Sequence, residues 1–546
     1  MAGLHRVSTV GNRSPSGQVW ETGMVSAGGT DWERYSACHF EDPNTGLAVD
    51  VSPAGITVDH LDGLAPSMAR AFDAMAALER GSVVNPDEGR AVGHYWLRAP
   101  DLAPDPEVAA AIKSSLAMPA EFVSLARAEG WRTVLHVGIG GSTTGPQFLC
   151  DAWSDQTDGL EVRFLDNADP DGVDRALRGL SGGLRRTVVS VVSKSGITPT
   201  PLEVVRELER AYRAADVDFA SRAVATTMAG SALAVHATDN GWRAVFPLWD
   251  WVGGRTSVTS LVGLLPAALA GADTDCFLSG AAAVDALTRV PDLRRNPAAL
   301  LAATWHHLGN GRGDRAMVVL PYRDRLALLP RWVQQLVMES VGKELDRGGR
   351  VVRQGLTVHG HKGVTDQHSY LQQLKDGRDD SFVTFVAAHR GSRAAGAGDP
   401  DLAEHLFSGL VGTLESLARK SRPAVVITVP DYRERSIGAL VALFERAVGL
   451  YAELIDVNAY HQPGVDKHVA LPVLDLRREA LAHLAKTRAP LTAFELASAL
   501  GCAERAVTVH RLLAHLATAR PELVGVLPGG SPAKTRFHVV GNDADA

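Results

Sequence analysis

The sequence predicts an α/β protein of two domains with parallel sheets, followed by a small C-terminal winged-helix-like module. Three observations carry this. Short apolar runs of strand length alternate with helical stretches from Thr133 onward, the signature of a parallel sheet covered by helices. A second alternating series begins near residue 291. At 546 residues the chain is also too long for a single core.

The elements follow in order. Residues 1–30 are rich in Gly, Ser and Thr without periodicity, so they read as a loose tail or as residues upstream of a start at Met24. Residues 31–130 form an N-terminal wrapping segment, with a strand at Leu47–Val51 and a helix at Ser67–Glu79 whose Met68, Phe72 and Met75 share one face. Residues 131–290 make the first α/β domain, with strands Thr133–Val137, Val162–Leu165, Thr187–Val192 and Arg222–Thr226 and a helix at Pro201–Ala214. Residues 291–484 make the second, with strands Ala316–Leu320, Val383–Val386 and Ala424–Val429 and long helices Arg325–Asp346 and Asp401–Lys420.

Residues 485–546 begin with a break at Ala485–Pro490. Two helices, Thr492–Leu500 and Glu504–Thr518, precede strands Val524–Leu527 and Thr535–Val539 around Pro-Gly-Gly-Ser-Pro. Arg505, His510, Arg511 and His515 offer a face to DNA, but the same helix is apolar at Val507, Leu512, Leu513 and Leu516, which favours packing.

Composition narrows the function. A formal net charge of −7 with no basic stripe argues against nucleic acid as a main partner, so an anionic ligand must be held by local dipoles and a few placed cations. Cys38, Cys150, Cys276 and Cys502 lie far apart, without metal-site spacing, so neither a zinc site nor a disulfide framework is expected and a cytoplasmic setting fits. No run of roughly 20 apolar residues or secretion signal is expected, hence no membrane partner.

The chemistry concentrates in six stretches. G-I-G-G-S-T-T-G-P opens at Gly138, directly after the strand Thr133–Val137. Glycines there permit a sharp turn whose backbone N–H groups suit an anion. Nucleotide motifs fail, because Thr143 stands where a dinucleotide fingerprint needs glycine and Pro146 where a Walker A loop needs lysine. An empty strand-to-helix turn is the plain alternative. S-K-S-G-I-T, Ser193–Thr198, ends the strand Thr187–Val192 with three hydroxyls and an ammonium ahead of a helix; alone it would be a helix cap, and beside the glycine loop it becomes the second wall of a phosphate pocket.

D-W-V-G-G-R-T-S places Arg255 in a glycine turn, where a surface arginine is the plain alternative. Q-Q-L-V-M-E-S-V-G-K sets Gln335 and Glu339 on one helical face, although Glu339 and Lys343 are also four apart and could form an ordinary helix ion pair. G-V-T-D-Q-H-S-Y carries His368, and Y-H-Q-P-G-V-D-K carries Gln462 and Lys467.

These six motifs, in this order from 138 to 467, resemble the glucose-6-phosphate isomerase (phosphoglucose isomerase) family. D-W-E-R-Y near the N-terminus, Q-G-L-T-V-H-G-H-K-G at 354–363 and the C-terminal module are most similar to its cyanobacterial and plastid branch. The resemblance implies two sugar-isomerase (SIS) α/β sandwich domains and a homodimer with active sites near the subunit interface. It implies reversible conversion of D-glucose 6-phosphate to D-fructose 6-phosphate, in glycolysis and gluconeogenesis, through ring opening and an enediolate. Gly141, Ser142, Ser193, Lys194, Ser195 and Thr198 would hold the phosphate. Glu339 would move the proton between C2 and C1, and Arg255 would stabilise the enediolate. Gln335 and Gln462 would position the sugar, while His368, from the same or the neighbouring subunit, and Lys467 would open the ring. Proton abstraction beside a carbonyl needs a base and a facing cation, so no cofactor or metal is called for.

Two departures stand out. The family's common Q-P-G-V-E-x-G-K is two residues longer between Gln and Lys than Gln462 to Lys467, and the common Asn of M-E-S-N-G-K is Val341. The alternatives are an isomerase that also accepts mannose 6-phosphate and a sugar-phosphate-sensing regulator.

Overall fold

The computed structural model describes residues 29–154, 158–391, 401–464 and 470–540. Met24 with the tail through residue 28, and Lys467, lie outside the described residues. The chain divides into two compact units, one of Met1–Ala120, Thr144–Gly159 and Trp251–Tyr460, the other of Glu121–Thr143, Leu160–Asp250 and His461–Ala546.

The second unit is built on a five-stranded parallel sheet in the spatial order Glu161–Leu165, Thr133–Val137, Thr187–Val192, Ala223–Thr227 and Ala244–Pro247. Thr133–Val137 and Thr187–Val192 are buried at every position, which is why they read as continuous apolar runs rather than alternating ones. The helix Pro199–Ala214 covers the sheet with Val204, Val205, Leu208 and Tyr212, and the Tyr212 hydroxyl donates to the Thr187 carbonyl at 3.0 Å.

The C-terminal residues of this unit have their own core, with Leu484, Leu496, Leu513 and Phe537 buried. Helices Leu471–Thr487, Ala493–Ala499 and Ala506–Ala519 pack with a three-stranded antiparallel sheet ordered Leu491–Thr492, Arg536–Val539, Val524–Leu527. Thr492 and Glu495 close a capping box at the start of the second helix.

The first unit carries a six-stranded mixed sheet. Its order is His39–Asp42, Leu47–Asp50, Ala424–Val429, Ser381–Ala388, Ala316–Pro321 and Val358–His359. The hairpin His39–Asp50 joins the edge antiparallel to Ala424–Val429, so the N-terminal segment completes this sheet. The helix Glu434–Leu454 is buried continuously from Ser436 to Ala452. Gly280 of helix Thr274–Thr288 and Gly438 let the two backbones approach: a Cβ at Gly280 would lie 1.9 Å from the Arg435 carbonyl oxygen, and one at Gly438 2.0 Å from that of Phe277.

Several elements differ from the sequence expectation. The long helix expected over Arg325–Asp346 is a helix only over Leu329–Val341. Gly342 leaves helical geometry at ψ 89°, and Lys343–Leu345 pairs antiparallel with Val351–Gln354. Residues 251–290 belong to the first unit, where Thr274–Thr288 packs on Glu434–Leu454. Pro106–Ala128 meets the length and apolarity of a membrane span, contrary to expectation, but it breaks into two helices at Ala117 and carries Glu107, Lys113, Glu121 and Arg127. All four cysteines are free.

Candidate active site

In the five-stranded sheet, the chain leaves Thr133–Val137 toward Glu161–Leu165 on one side and returns to Thr187–Val192 on the other. The loops after these two neighbouring strands therefore diverge and leave a crevice at their carboxyl ends, the usual ligand position in an open parallel sheet. The sequence-predicted phosphate residues occupy these two loops.

The glycine loop is tightly organised. Gly140 sits at φ +60°, and a Cβ at Gly138 would come within 2.9 Å of the Ser142 Cβ. Gly140–Ser142 forms a single 3-10 turn, closed by Thr143 N–H donating to the Gly140 carbonyl at 2.9 Å. Beneath it, the ring Nε2 of His136 lies 2.8 Å from the Ser142 carbonyl oxygen. Gly141 and Ser142 remain half-buried.

In the second loop, Ser193 is buried and its Oγ accepts the Gly196 N–H at 3.1 Å, which shapes the turn. Gly196 has φ +74°, and a Cβ there would strike the Leu233 nitrogen at 2.2 Å. The Thr227 hydroxyl donates to the Ser193 carbonyl at 2.7 Å, and the Lys194 ammonium to the Asp250 carbonyl at 2.6 Å. Ser195 Oγ accepts from Ile197 N–H at 3.5 Å. Thr198 is the N-cap of Pro199–Ala214, yet its side chain makes no capping hydrogen bond. The plain capping explanation for this hydroxyl is thus set aside.

The first unit holds the base candidate. Helix Leu329–Val341 buries Trp332, Val333, Leu336, Val337 and Ser340, leaving Gln335 and Glu339 on the half-exposed face. Gln335 Nε2 lies 3.4 Å from Glu339 Oε1. Arg255 Nε lies 3.4 Å from Glu339 Oε2, and Arg255 Nη1 donates to Ser340 Oγ at 3.0 Å and to the Ala459 carbonyl at 2.6 Å. Arg255 is 7% exposed, so it is a buried, oriented cation rather than a surface arginine. Burial lowers its pKa to about 10 against the pull of Glu339, which leaves the guanidinium charged at neutral pH.

Lys343 does not form the ordinary ion pair with the Glu339 carboxylate. Its ammonium instead donates to the Glu339 backbone carbonyl at 2.6 Å, where a helix end presents unsatisfied carbonyls. Burial first, and then repulsion by Arg255, bring its pKa down to about 7.

The remaining predicted residues are less gathered. His368 is exposed at the end of a 3-10 turn, Thr365–His368, preceded by Val364 at φ +47°, a conformation rare for a β-branched residue. His368 makes no hydrogen bond or ion pair with Glu339 or Arg255 among the described residues. Gln462 is half-buried in the second unit. No group of three or more His, Cys, Asp or Glu that could hold a metal ion occurs among the described residues.

Sequence reasoning missed the fixtures behind these groups: Ser340 and the Ala459 carbonyl that aim Arg255, and His136 under the glycine loop. His136 had a signal, because a histidine two residues before Gly138 interrupts an otherwise apolar strand.

Comparison with known proteins is consistent across sequence and structure. The phosphoglucose isomerase family pattern matches residues 56–417. A glucose-6-phosphate isomerase from Geobacter sulfurreducens is 50% identical over 521 residues, covering 93% of this chain and 98% of that protein. One from Synechococcus sp. (strain JA-3-3Ab) is 48% identical over 517 residues, 92% of this chain and 97% of its own. The crystal structure of a glucose-6-phosphate isomerase from Chlamydia trachomatis superposes with a TM-score of 0.75 at 28% identity, covering 83% of this chain and 93% of the other.

Proposed function

The chain belongs to the phosphoglucose isomerase family and interconverts D-glucose 6-phosphate and D-fructose 6-phosphate, and from that premise we propose which of its residues carry the reaction. The carboxylate of Glu339 abstracts the C2 proton of the open-chain aldose and returns it to C1, while the O2 hydroxyl proton passes to O1 to complete the ketose. As the proton leaves, charge develops on the carbonyl oxygen, and the Arg255 guanidinium stabilises it as the enediolate. The observation that carries this reading is Arg255 Nε at 3.4 Å from Glu339 Oε2, with the guanidinium locked by Ser340 and Ala459. A base and an electrophilic cation so placed serve proton transfer beside a carbonyl.

Gln335 orients the base and the sugar, with Gln462 on the sugar as well. Gly141, Ser142, Ser193, Lys194, Ser195 and Thr198 bind the phosphate, whose distance from the reacting carbons makes it an anchor that contributes binding energy. His368 and Lys467 exchange protons with the ring oxygen and anomeric hydroxyl to open the pyranose. The protein works in the cytoplasm as a homodimer, in which the exposed His368 can serve a neighbouring subunit.

A coupled assay of fructose 6-phosphate conversion tests the assignment. Glu339→Gln keeps the shape and removes the base, so kcat should fall about 10²- to 10⁴-fold. Wild-type turnover in that variant would remove Glu339 from the mechanism.

A further inference from the structure

His136 lies in the middle of a fully buried parallel strand, 0% exposed, where an aliphatic side chain would suffice for packing. Its ring sits 5.0 Å from that of Phe164 on the neighbouring strand. Its Nδ1 has no hydrogen-bond partner among the described residues, so burying this imidazole leaves a polar atom unsatisfied and costs stability. In return it makes one bond, from Nε2 to the carbonyl of Ser142 at 2.8 Å. A carbonyl can only accept, so the proton is on Nε2 and the unpartnered Nδ1 is bare. Burial also pushes the pKa of His136 down to about 4, which keeps the ring neutral and its single N–H fixed.

We infer that His136 is a positioning residue for substrate phosphate: its Nε2–H pins the Ser142 carbonyl beneath the loop and so fixes the direction in which Ser142 presents itself to a sugar phosphate. Local geometry explains why a pin is needed. The turn hangs on Gly138 and Gly140, residues with wide conformational freedom, and Gly140 is already at φ +60°. Within the turn, Ser142 N–H goes to the Ile139 carbonyl at 3.2 Å and Thr143 Oγ1 to the Gly140 carbonyl at 3.1 Å. Those bonds close the turn on itself, whereas the His136 bond ties it to the rigid sheet. The inference rests on the reading that Ser142 contacts phosphate.

The test separates the two. His136→Phe keeps a ring and removes the donor; His136→Gln keeps a donor at the reach of Nε2; His136→Asn keeps polarity but is too short and serves should the Phe variant not fold. KM for fructose 6-phosphate and the inhibition constant of inorganic phosphate should both rise about five- to tenfold in His136→Phe, the loss of one hydrogen bond's positioning. Turnover should stay within about twofold, because the reacting carbons are remote from the phosphate. His136→Gln should recover most of the loss, and His136→Phe on a Ser142→Ala background should add little, since both act through one contact. A folded His136→Phe or His136→Asn enzyme with wild-type KM and phosphate inhibition, beside an impaired Ser142→Ala, overturns the inference alone. Unchanged phosphate inhibition in Ser142→Ala overturns the reading beneath it.

Discussion

Asp285 and Glu445 sit in one buried network, and exchanging each for its amide should give opposite lessons. Arg98 donates to Asp285 at 2.8 Å and to Glu445 at 2.7 Å, and Arg446 donates to Asp285 at 2.9 Å. Glu79 bonds both Arg446 and Arg289, the latter at 2.8 Å. Three guanidiniums thus face three carboxylates, and Arg98, Asp285 and Glu445 have no exposed side-chain surface. Asp285→Asn leaves Arg98 and Arg446 short of one negative charge in a dry interior, which should cost about 3–5 kcal/mol.

Glu445 differs, because burial, partly offset by Arg98, has raised its pKa from 4.5 to about 7. The folded state then keeps a proton that the unfolded state has lost between those values. Its contribution to stability therefore falls as pH rises from 4.5 to 7, by about 3 kcal/mol in all at about 1.4 kcal/mol per pH unit. Glu445→Gln should abolish that slope, narrowing or reversing its deficit relative to wild type at pH 8. Urea unfolding followed at pH 5 and pH 8 measures both effects. An Asp285→Asn variant within about 1 kcal/mol of wild type, or a Glu445→Gln variant with the wild-type pH slope, would refute the charge accounting.

Thr198→Ala should leave the unfolding free energy within about 0.5 kcal/mol, against the roughly 1 kcal/mol of a true cap, because its side chain caps nothing. Its KM for sugar phosphate should nevertheless rise, and steady-state kinetics beside thermal unfolding distinguishes the two roles. Arg255→Lys retains the charge but cannot reproduce the bonds to Ser340 and Ala459 while facing Glu339. Its kcat should drop about 10²- to 10³-fold in the coupled assay.

Legibility followed burial pattern and turn chemistry. Thr133–Val137, Thr187–Val192 and Ala424–Val429 are recovered to the residue, because each is a short apolar run that stops at a loop: glycine-rich after the first, hydroxyl-rich after the second and opened by Pro430 after the third. Glu434–Leu454 escaped notice although it is helical in pattern, because its charged Glu445 and Arg446 are buried in the ion network and do not mark a solvent face. The helix expected through Asp346 runs past Gly342, where the chain turns instead into Lys343–Leu345, whose strand partners Val351 and Gln354 lie six to eleven residues further on. Two-residue strands such as Val358–His359 carry too little pattern to be seen. At the site, motifs pointed to Glu339 and Arg255, but spacing could not choose between Lys343 and Arg255 as partner of the carboxylate, since only tertiary packing buries Arg255 beside it.

That choice of partner has a mechanical consequence. Arg255 is anchored to Ser340 Oγ, and Ser340 follows Glu339 on the same helix. The cation is therefore referenced to the backbone that carries Glu339, and small movements of the helix carry both together. Gln335, one turn earlier, holds the other carboxylate oxygen, while Lys343 ties down the Glu339 carbonyl at the helix end. In the role proposed for Glu339, a carboxylate that accepts a proton at one carbon and releases it at the next gains from a fixed distance to the group stabilising the intermediate, since reorganisation during the reaction would add to the barrier. Val341, the departure from the motif M-E-S-N-G-K, lies on the buried side at 0% exposure. Ser340, the Ala459 carbonyl, Gln335 and Lys343 supply the hydrogen bonds that hold Arg255 and Glu339.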